Sequence, residues 1–73
     1  NQLQTAHHLM LAKSYYKLAK YEASLKECQA FLNHYPNSRY VPFIFMQEGN
    51  NYFRLDRIQT AVTKWLKAAE ISK

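Results

Sequence analysis

The sequence has very little glycine and proline, with one glycine and two prolines among 73 residues. All-β folds need many turns, and turns favour these two residue types, so the composition argues against an all-β chain. No apolar run approaches the ~20 residues that a membrane-spanning helix requires. A single cysteine, Cys28, excludes a disulfide within the chain. Because 48% of the residues are hydrophobic, the chain is nevertheless apolar enough to fold into one small domain.

Acidic residues are scarce as well. Five Asp and Glu stand against ten Lys and Arg, which gives a formal net charge of +5. A basic balance favours nucleic acid, an anionic membrane or an acidic protein segment as a partner. The basic residues are scattered and form no run, which favours the simpler interpretation that they solvate helix surfaces.

Motifs of enzymatic or metal sites are missing too. The chain has no Gly-rich phosphate loop, no HExxH sequence and no Ser-centred motif. His7 and His8 are neighbours on a predicted helix, so they point about 100° apart and cannot share one metal as an i, i+4 pair could. We expect His8 to make a contact within a helical hairpin, His34 to stabilise a helix C-terminus, and Cys28 to be a small buried side chain. The sequence predicts no enzymatic activity, no metal and no cofactor.

What the chain does have is an internal repeat with an offset of 37 residues, which aligns residues 12–32 with residues 49–69. Matching pairs include Ala12/Gly49, Tyr15/Tyr52, Tyr16/Phe53, Lys17/Arg54, Leu18/Leu55, Ser24/Ala61, Leu25/Val62 and Cys28/Trp65. A period in this range, combined with helical patterning, is typical of stacked helix pairs. Such architectures bind other proteins far more often than they catalyse reactions.

Helical spacing of apolar residues predicts helices over residues 4–18, 22–34, 42–54 and 57–71. The apolar stripe of the first contains Leu11, Ala12, Tyr15 and Leu18, and that of the second contains Ser24, Leu25, Cys28, Phe31 and Leu32. Pro36 ends the second helix and pushes Tyr35 out of the helical region, whereas Pro42 suits the first turn of the third. We expect Asp56 to cap the fourth helix. The predicted fold is all-α, with two stacked antiparallel helical hairpins joined by a bend at residues 36–41.

These residues resemble the tetratricopeptide repeat. The first copy has Ala12, Tyr15, Ser24, Cys28 and Pro36 at the family's positions, and the second has Gly49, Tyr52, Ala61 and Trp65. The resemblance implies one α-solenoid domain over residues 1–73, with repeats at about 5–38 and 42–73. It also implies small residues where paired helices approach. Phe31, Ala19 and Asp56 depart from the pattern, and we expect Phe31 to fill the volume that Cys28 leaves. We expect the chain to be part of a longer protein with further repeats, or to self-associate.

A narrower resemblance concerns the segment from Phe31 to Ser38, which ends in Tyr-Pro-Asn-Ser, and the three-residue extension of the repeat. Together they look like the bacterial branch that contains BamD-type outer-membrane lipoproteins and CpoB (YbgF) periplasmic proteins. This resemblance implies a scaffold in envelope assembly, located in the periplasm or at the outer membrane. Without it, a cytoplasmic location is expected.

In stacked helical hairpins the first helix of each repeat lines the concave surface. The family's groove positions correspond to Ala6, Leu9, Met10, Lys13, Tyr16 and Lys17 in the first repeat, and to Phe43, Met46, Gln47, Asn50, Phe53 and Arg54 in the second. These aromatic, methionine and cationic residues predict binding of an acidic and aromatic peptide or protein segment. Two alternatives stay open: stacking of RNA bases on Tyr16 and Phe53, and a purely structural or oligomerisation role.

Overall fold

A computed structural model describes the backbone of residues 2–72 and the side chains of residues 7–72. Its helices are α1, Gln2–Lys17; α2, Tyr21–His34; α3, Val41–Arg54; and α4, Ile58–Ile71. Each bound lies within two residues of its prediction, and the described residues contain no strand. The predicted all-α class is therefore confirmed. The side chain of Ala6, from the predicted groove set, lies outside the described side chains.

The helices pack in chain order, α1 on α2, α2 on α3 and α3 on α4, and α1 also touches α3. His8 contacts Glu27 and Ala12 contacts Ser24, so residue numbers rise along α1 as they fall along α2, and these helices are antiparallel. The three-residue connection from α3 to α4 makes that pair antiparallel neighbours as well. Between α1 and α3 the numbers rise together, from the pair Leu9 and Phe43 to the pair Tyr16 and Arg54, so these two helices run parallel.

The turn between α1 and α2 closes with a left-handed residue. Ala19 has φ 61°, a conformation that normally favours glycine. The amide of Lys20 donates to the carbonyl oxygen of Tyr15 at 2.8 Å, and that of Ala19 donates to Tyr16 at 3.0 Å. This pair of bonds is the Schellman arrangement, which satisfies carbonyl groups at the end of a helix. The turn therefore works without glycine, but Ala19 is strained.

The prediction that Asp56 caps α4 is wrong. The N-cap of α4 is Arg57, which makes no side-chain cap hydrogen bond. Asp56 instead has φ 64° and closes α3, since its amide donates to Phe53 at 3.1 Å and the amide of Arg57 donates to Tyr52 at 2.8 Å. The same three-residue turn must end one helix and begin the next, so the carboxylate stands one residue too early to cap α4.

The connection between α2 and α3 follows the two prolines. Tyr35 leaves the helical region with φ −134° directly before Pro36, as predicted. Within the connection, the hydroxyl of Ser38 accepts a hydrogen bond from the amide of Tyr40 at 3.1 Å. Pro42 lies in the first turn of α3, where its missing N–H costs no helical hydrogen bond.

Small residues line the contacts between paired helices. Ala12, Ser24 and Ala61 are fully buried, and Gly49 is buried beneath the indole ring of Trp65. A Cβ atom at Gly49 would overlap that ring, so only glycine permits this approach of α3 and α4. The expected role of the small residues is confirmed at these positions.

One apolar core joins α1, α2 and α3, and its buried members are Ala12, Cys28, Phe31, Val41 and Ile44. Phe31 is fully buried in the same cluster as Cys28, as expected. Leu18, by contrast, is exposed, so its predicted place on the packing stripe of α1 is wrong. The reason is that α1 ends at Lys17, and Leu18 already lies in the turn.

Candidate functional site

The face that α1 shares with α3 is the candidate site, and we call it the α1/α3 groove. It is formed by Leu9, Lys13, Tyr16, Tyr40, Phe43 and Arg54. At one end, Leu9, Lys13, Tyr40 and Phe43 surround an open cleft of about 200 Å³. At the other end, Nε of Arg54 donates to the hydroxyl of Tyr16 at 3.2 Å. The structure therefore brings together five of the predicted groove residues and adds Tyr40, which lies just before α3.

The cleft combines apolar walls with positive charge. Phe43 remains 61% exposed, and its ring lies 6.4 Å from that of Tyr40. The guanidinium of Arg39 lies 5.2 Å from the centre of the Tyr40 ring and donates to its hydroxyl at 3.3 Å. None of the residues that line the cleft is acidic. An aromatic or aliphatic side chain with a nearby carboxylate would match both features.

Charge continues along the groove at Arg54. Its hydrogen bond with the hydroxyl of Tyr16 raises the pKa of Arg54 above its ordinary value. An arginine side chain is positively charged at every physiological pH even without such a shift. Arg54 is fully exposed, so this charge is available to a ligand.

Met10 and Lys17 are exposed on α1. Each directly follows a groove residue and so points about 100° away from it. On α3, Met46 is exposed, and Gln47 is half-buried. The amide nitrogen of Gln47 is buried without a hydrogen-bond partner among the described residues. The predictions for these positions remain predictions.

Asn50 and Phe53 have an internal contact that the sequence did not predict. Nε1 of Trp65 donates to Oδ1 of Asn50 at 3.3 Å, and the rings of Trp65 and Phe53 lie 5.8 Å apart. Both residues thereby hold Trp65 over Gly49, and Phe53 keeps about half of its surface exposed. They belong to the side of α3 that faces α4 rather than α1.

Sequence reasoning missed a buried network of hydrogen bonds that connects α1, α2 and α3. The hydroxyl of Ser24 donates to the carbonyl oxygen of Ala12 at 2.8 Å and accepts from Nδ2 of Asn51 at 2.8 Å. Asn51 is fully buried, and its Oδ1 has no partner among the described residues. Because buried polar groups need partners, these hydrogen bonds fix the register of α1, α2 and α3.

Glu48, which sequence reasoning also missed, is buried with only 2% of its surface exposed. Its Oε1 lies 3.6 Å from Nζ of Lys64, an ion-pair contact too long for a hydrogen bond. Burial raises the pKa of Glu48, and the charge of Lys64 partly opposes that rise. The sequence did contain a signal for the burial of Glu48, since Ile44, Glu48 and Asn51 follow helical spacing and therefore share one face of α3.

Cys28 has no nucleophilic character in this environment. Burial, followed by the nearby charge of Glu48, raises the pKa of Cys28 to about 12. The thiol is therefore protonated at neutral pH and contributes by packing, as predicted.

The histidines gather where α1 begins and α2 ends. Nδ1 of His8 lies 2.9 Å from Oε1 of Glu27, which confirms the expected hairpin contact. The ring of His34 stacks on the ring of His8 at 6.0 Å, and the ring of His7 lies 5.7 Å from the ring of His8. Even so, the described residues include no group of three or more His, Cys, Asp and Glu residues that could hold a metal ion.

Two further findings concern membrane-spanning helices and similarity to known proteins. None of the helices in the described residues is both long and apolar enough to cross a membrane. In comparisons with protein-family models, curated proteins and solved structures, nothing matches this chain.

Proposed function

We propose that this chain is a protein-interaction module of the tetratricopeptide type, which binds an extended or helical segment of a partner protein in the α1/α3 groove. The observation that carries the proposal is the open cleft of about 200 Å³ between Leu9, Lys13, Tyr40 and Phe43. Apolar ring surface faces solvent there beside a cation, and clusters of this composition commonly anchor protein partners.

The tetratricopeptide assignment is supported by features that recur in both halves of the chain. The halves repeat with an offset of 37 residues, and both hairpin turns close with a left-handed residue and the same pair of hydrogen bonds. The parallel course of α1 and α3 is also what successive repeats of a solenoid would produce. The envelope setting rests on the sequence of residues 31–38 and on the long period, and it stays a prediction.

The charge of the groove favours an acidic ligand. Lys13 and Arg54 lie at its two ends, and Lys17 is exposed on α1 about one helical turn beyond Lys13. Leu9 and Tyr16 are seven residues apart on α1, which corresponds to about 10 Å along the helix. An extended peptide covers that distance with about three residues. The favoured ligand therefore has an apolar or aromatic anchor and a carboxylate about three residues away from it.

An array of acidic peptides tests this proposal. Each peptide contains one Phe, Tyr or Trp at a varied distance from Asp or Glu, and a matched array has Asn and Gln in place of the acids. We expect preferential binding to the acidic array. Lys13→Glu and Arg54→Glu should each weaken binding about 10-fold, which is the effect of reversing one close charge. Lys67→Glu is the matched control, because Lys67 is exposed on α4 away from the groove.

A titration with RNA separates peptide binding from the RNA alternative. Single-stranded oligouridylate is titrated at low and at physiological salt, since phosphate contacts weaken steeply as salt rises. We expect no saturable binding of oligouridylate under conditions in which acidic peptides bind. Equal binding of acidic and neutral peptides, or tighter binding of oligouridylate, would contradict the proposal.

A further inference from the structure

The outer face of α4 has an apolar stripe that nothing in the described chain covers. Ile58, Val62 and Leu66 follow one another at intervals of four residues and are all exposed, with Leu66 at 64%. Such spacing places the three side chains along one side of the helix. This stripe lies beside the side of α4 that contacts α3 through Lys64 and Trp65.

The 37-residue offset identifies what covers the equivalent stripe on α2. Val62 corresponds to Leu25, which is only 8% exposed, whereas Val62 is 42% exposed. Leu25 lies in the seam between α2 and α3, across from Tyr52 and Leu55. At this position the surface that α3 covers on α2 is therefore left uncovered on α4. Leu66 corresponds to Gln29, which borders the same seam and is itself exposed.

The chain also contains the complementary half of that contact. By the same offset α3 corresponds to α1. Ile44 and Asn51 of α3, and Leu55 directly after it, correspond to His7, Ser14 and Leu18. Ile44 and Asn51 are buried and Leu55 is half-buried, but all three counterparts in the first repeat are exposed. Both faces of a repeat-type seam are thus present and uncovered, one on α1 and one on α4.

We infer that α4 of one copy is the docking surface for α1 of a second copy, in a head-to-tail contact that reproduces the α2–α3 seam. The contact is heterologous, so each copy keeps one unused face and the assembly grows with concentration instead of closing as a dimer. It uses Ser14 on α1 and Leu18 in the turn that follows, whereas the α1/α3 groove uses Leu9, Lys13 and Tyr16. The contact therefore leaves the groove accessible and does not rest on the proposed function.

Charge predicts how the association depends on salt. Each copy has a formal net charge of +5, so copies repel one another at low ionic strength. Screening removes this repulsion and leaves the apolar contact intact, so association should strengthen as salt rises. A contact driven by charge would weaken instead.

Sedimentation tests the inference over chain concentrations from about 10 μM to 1 mM. This range suits a weak interface that consists of a single seam. We expect the average mass to rise continuously with concentration. Val62→Lys/Leu66→Lys and Ser14→Lys/Leu18→Lys should each remain monomeric over this range. Thr60→Lys adds positive charge to an exposed position of α4 whose counterpart, Ala23, does not line the α2–α3 seam, so it should associate like the natural chain. Circular dichroism verifies that each variant is folded.

The two blocked variants are Val62→Lys/Leu66→Lys, which has lost its α4 face, and Ser14→Lys/Leu18→Lys, which has lost its α1 face. Mixing them gives the most specific outcome. One has only its α1 face left and the other only its α4 face, so an equimolar mixture should form a 1:1 dimer that does not grow further. A natural chain that stays monomeric at all concentrations and salt levels would overturn the inference. So would self-association of either blocked variant alone, because that requires a contact between like faces.

Discussion

Gly49 is the residue at which the packing of the second hairpin depends most on the absence of a side chain. A Cβ atom there would overlap the indole ring of Trp65. Gly49→Ala gains up to about 1 kcal/mol of helix propensity, but overpacking of this kind costs about 1–3 kcal/mol. We expect a net loss of about 1 kcal/mol in the free energy of unfolding, measured by urea denaturation.

A second variant isolates the cause of that loss. Trp65→Phe removes the larger ring, so adding Gly49→Ala to it should cost less than adding the same change to the natural chain. Equal costs in both backgrounds would mean that the ring does not limit position 49.

Among the residues that the structure describes, Ala19 and Asp56 adopt positive φ without being glycine. Left-handed backbone costs about 1 kcal/mol for alanine and less for aspartate, whose short polar side chain tolerates it. Ala19→Gly should therefore raise the free energy of unfolding by about 0.5–1 kcal/mol, and Asp56→Gly should raise it less. Thermal and urea denaturation measure both changes. Ala30→Gly, in the interior of α2, is the control and should lower stability by about 1 kcal/mol.

Element boundaries were predictable from the sequence because strong local signals coincide with them. Pro36 and Pro42 fix the connection between α2 and α3, and the repeat transfers the limits of the first hairpin to the second. Asp56 was mispredicted because a capping residue and a helix-closing residue have overlapping sequence preferences. Only the hydrogen bonds of the turn distinguish the two roles.

Between elements, the α3 face that meets α2 was harder to predict than the helices themselves. Glu48 and Asn51 are polar, and single-sequence patterning places polar residues outside. Their burial follows from the bond between Asn51 and Ser24 and from the proximity of Lys64 to Glu48, which are contacts between different helices. The groove was predictable to the extent that the repeat placed α1 beside α3. Tyr40 was missed because it precedes the helix.

Glu48 gives the α3–α4 pair a pH dependence with a definite sign. Burial raises the pKa of Glu48 above its ordinary value of 4.5, so the folded chain binds the proton more tightly than the unfolded chain does. The free energy of unfolding therefore falls as the pH rises from about 4.5 through the folded pKa. Relative to Glu48→Gln, the natural chain should therefore lose stability as the pH rises from about 4.5 through the raised pKa of Glu48. Urea denaturation of both proteins across that range measures the difference, and a constant or rising difference would contradict the burial of this carboxylate.

At the scale of the whole molecule, the fold is a thin layer of helices with extents of 34 × 30 × 16 Å. Its smallest dimension is less than two helix diameters, so a large share of the side chains reaches a surface. Two surfaces are chemically distinct: the α1/α3 groove is aromatic and basic, and the stripe on α4 is aliphatic. We propose that the first binds a partner segment and that the second binds a neighbouring copy.

The most direct test of the central claim is an NMR titration of the ¹⁵N-labelled chain with the acidic-aromatic peptide that binds most strongly in the array. The Val62→Lys/Leu66→Lys background keeps the chain monomeric during the titration. We expect amide shift changes concentrated around Leu9, Lys13, Phe43 and Arg54, which saturate with the peptide. Changes confined to α2 or α4, or no saturable change at all, would contradict the assignment of the α1/α3 groove as the binding site.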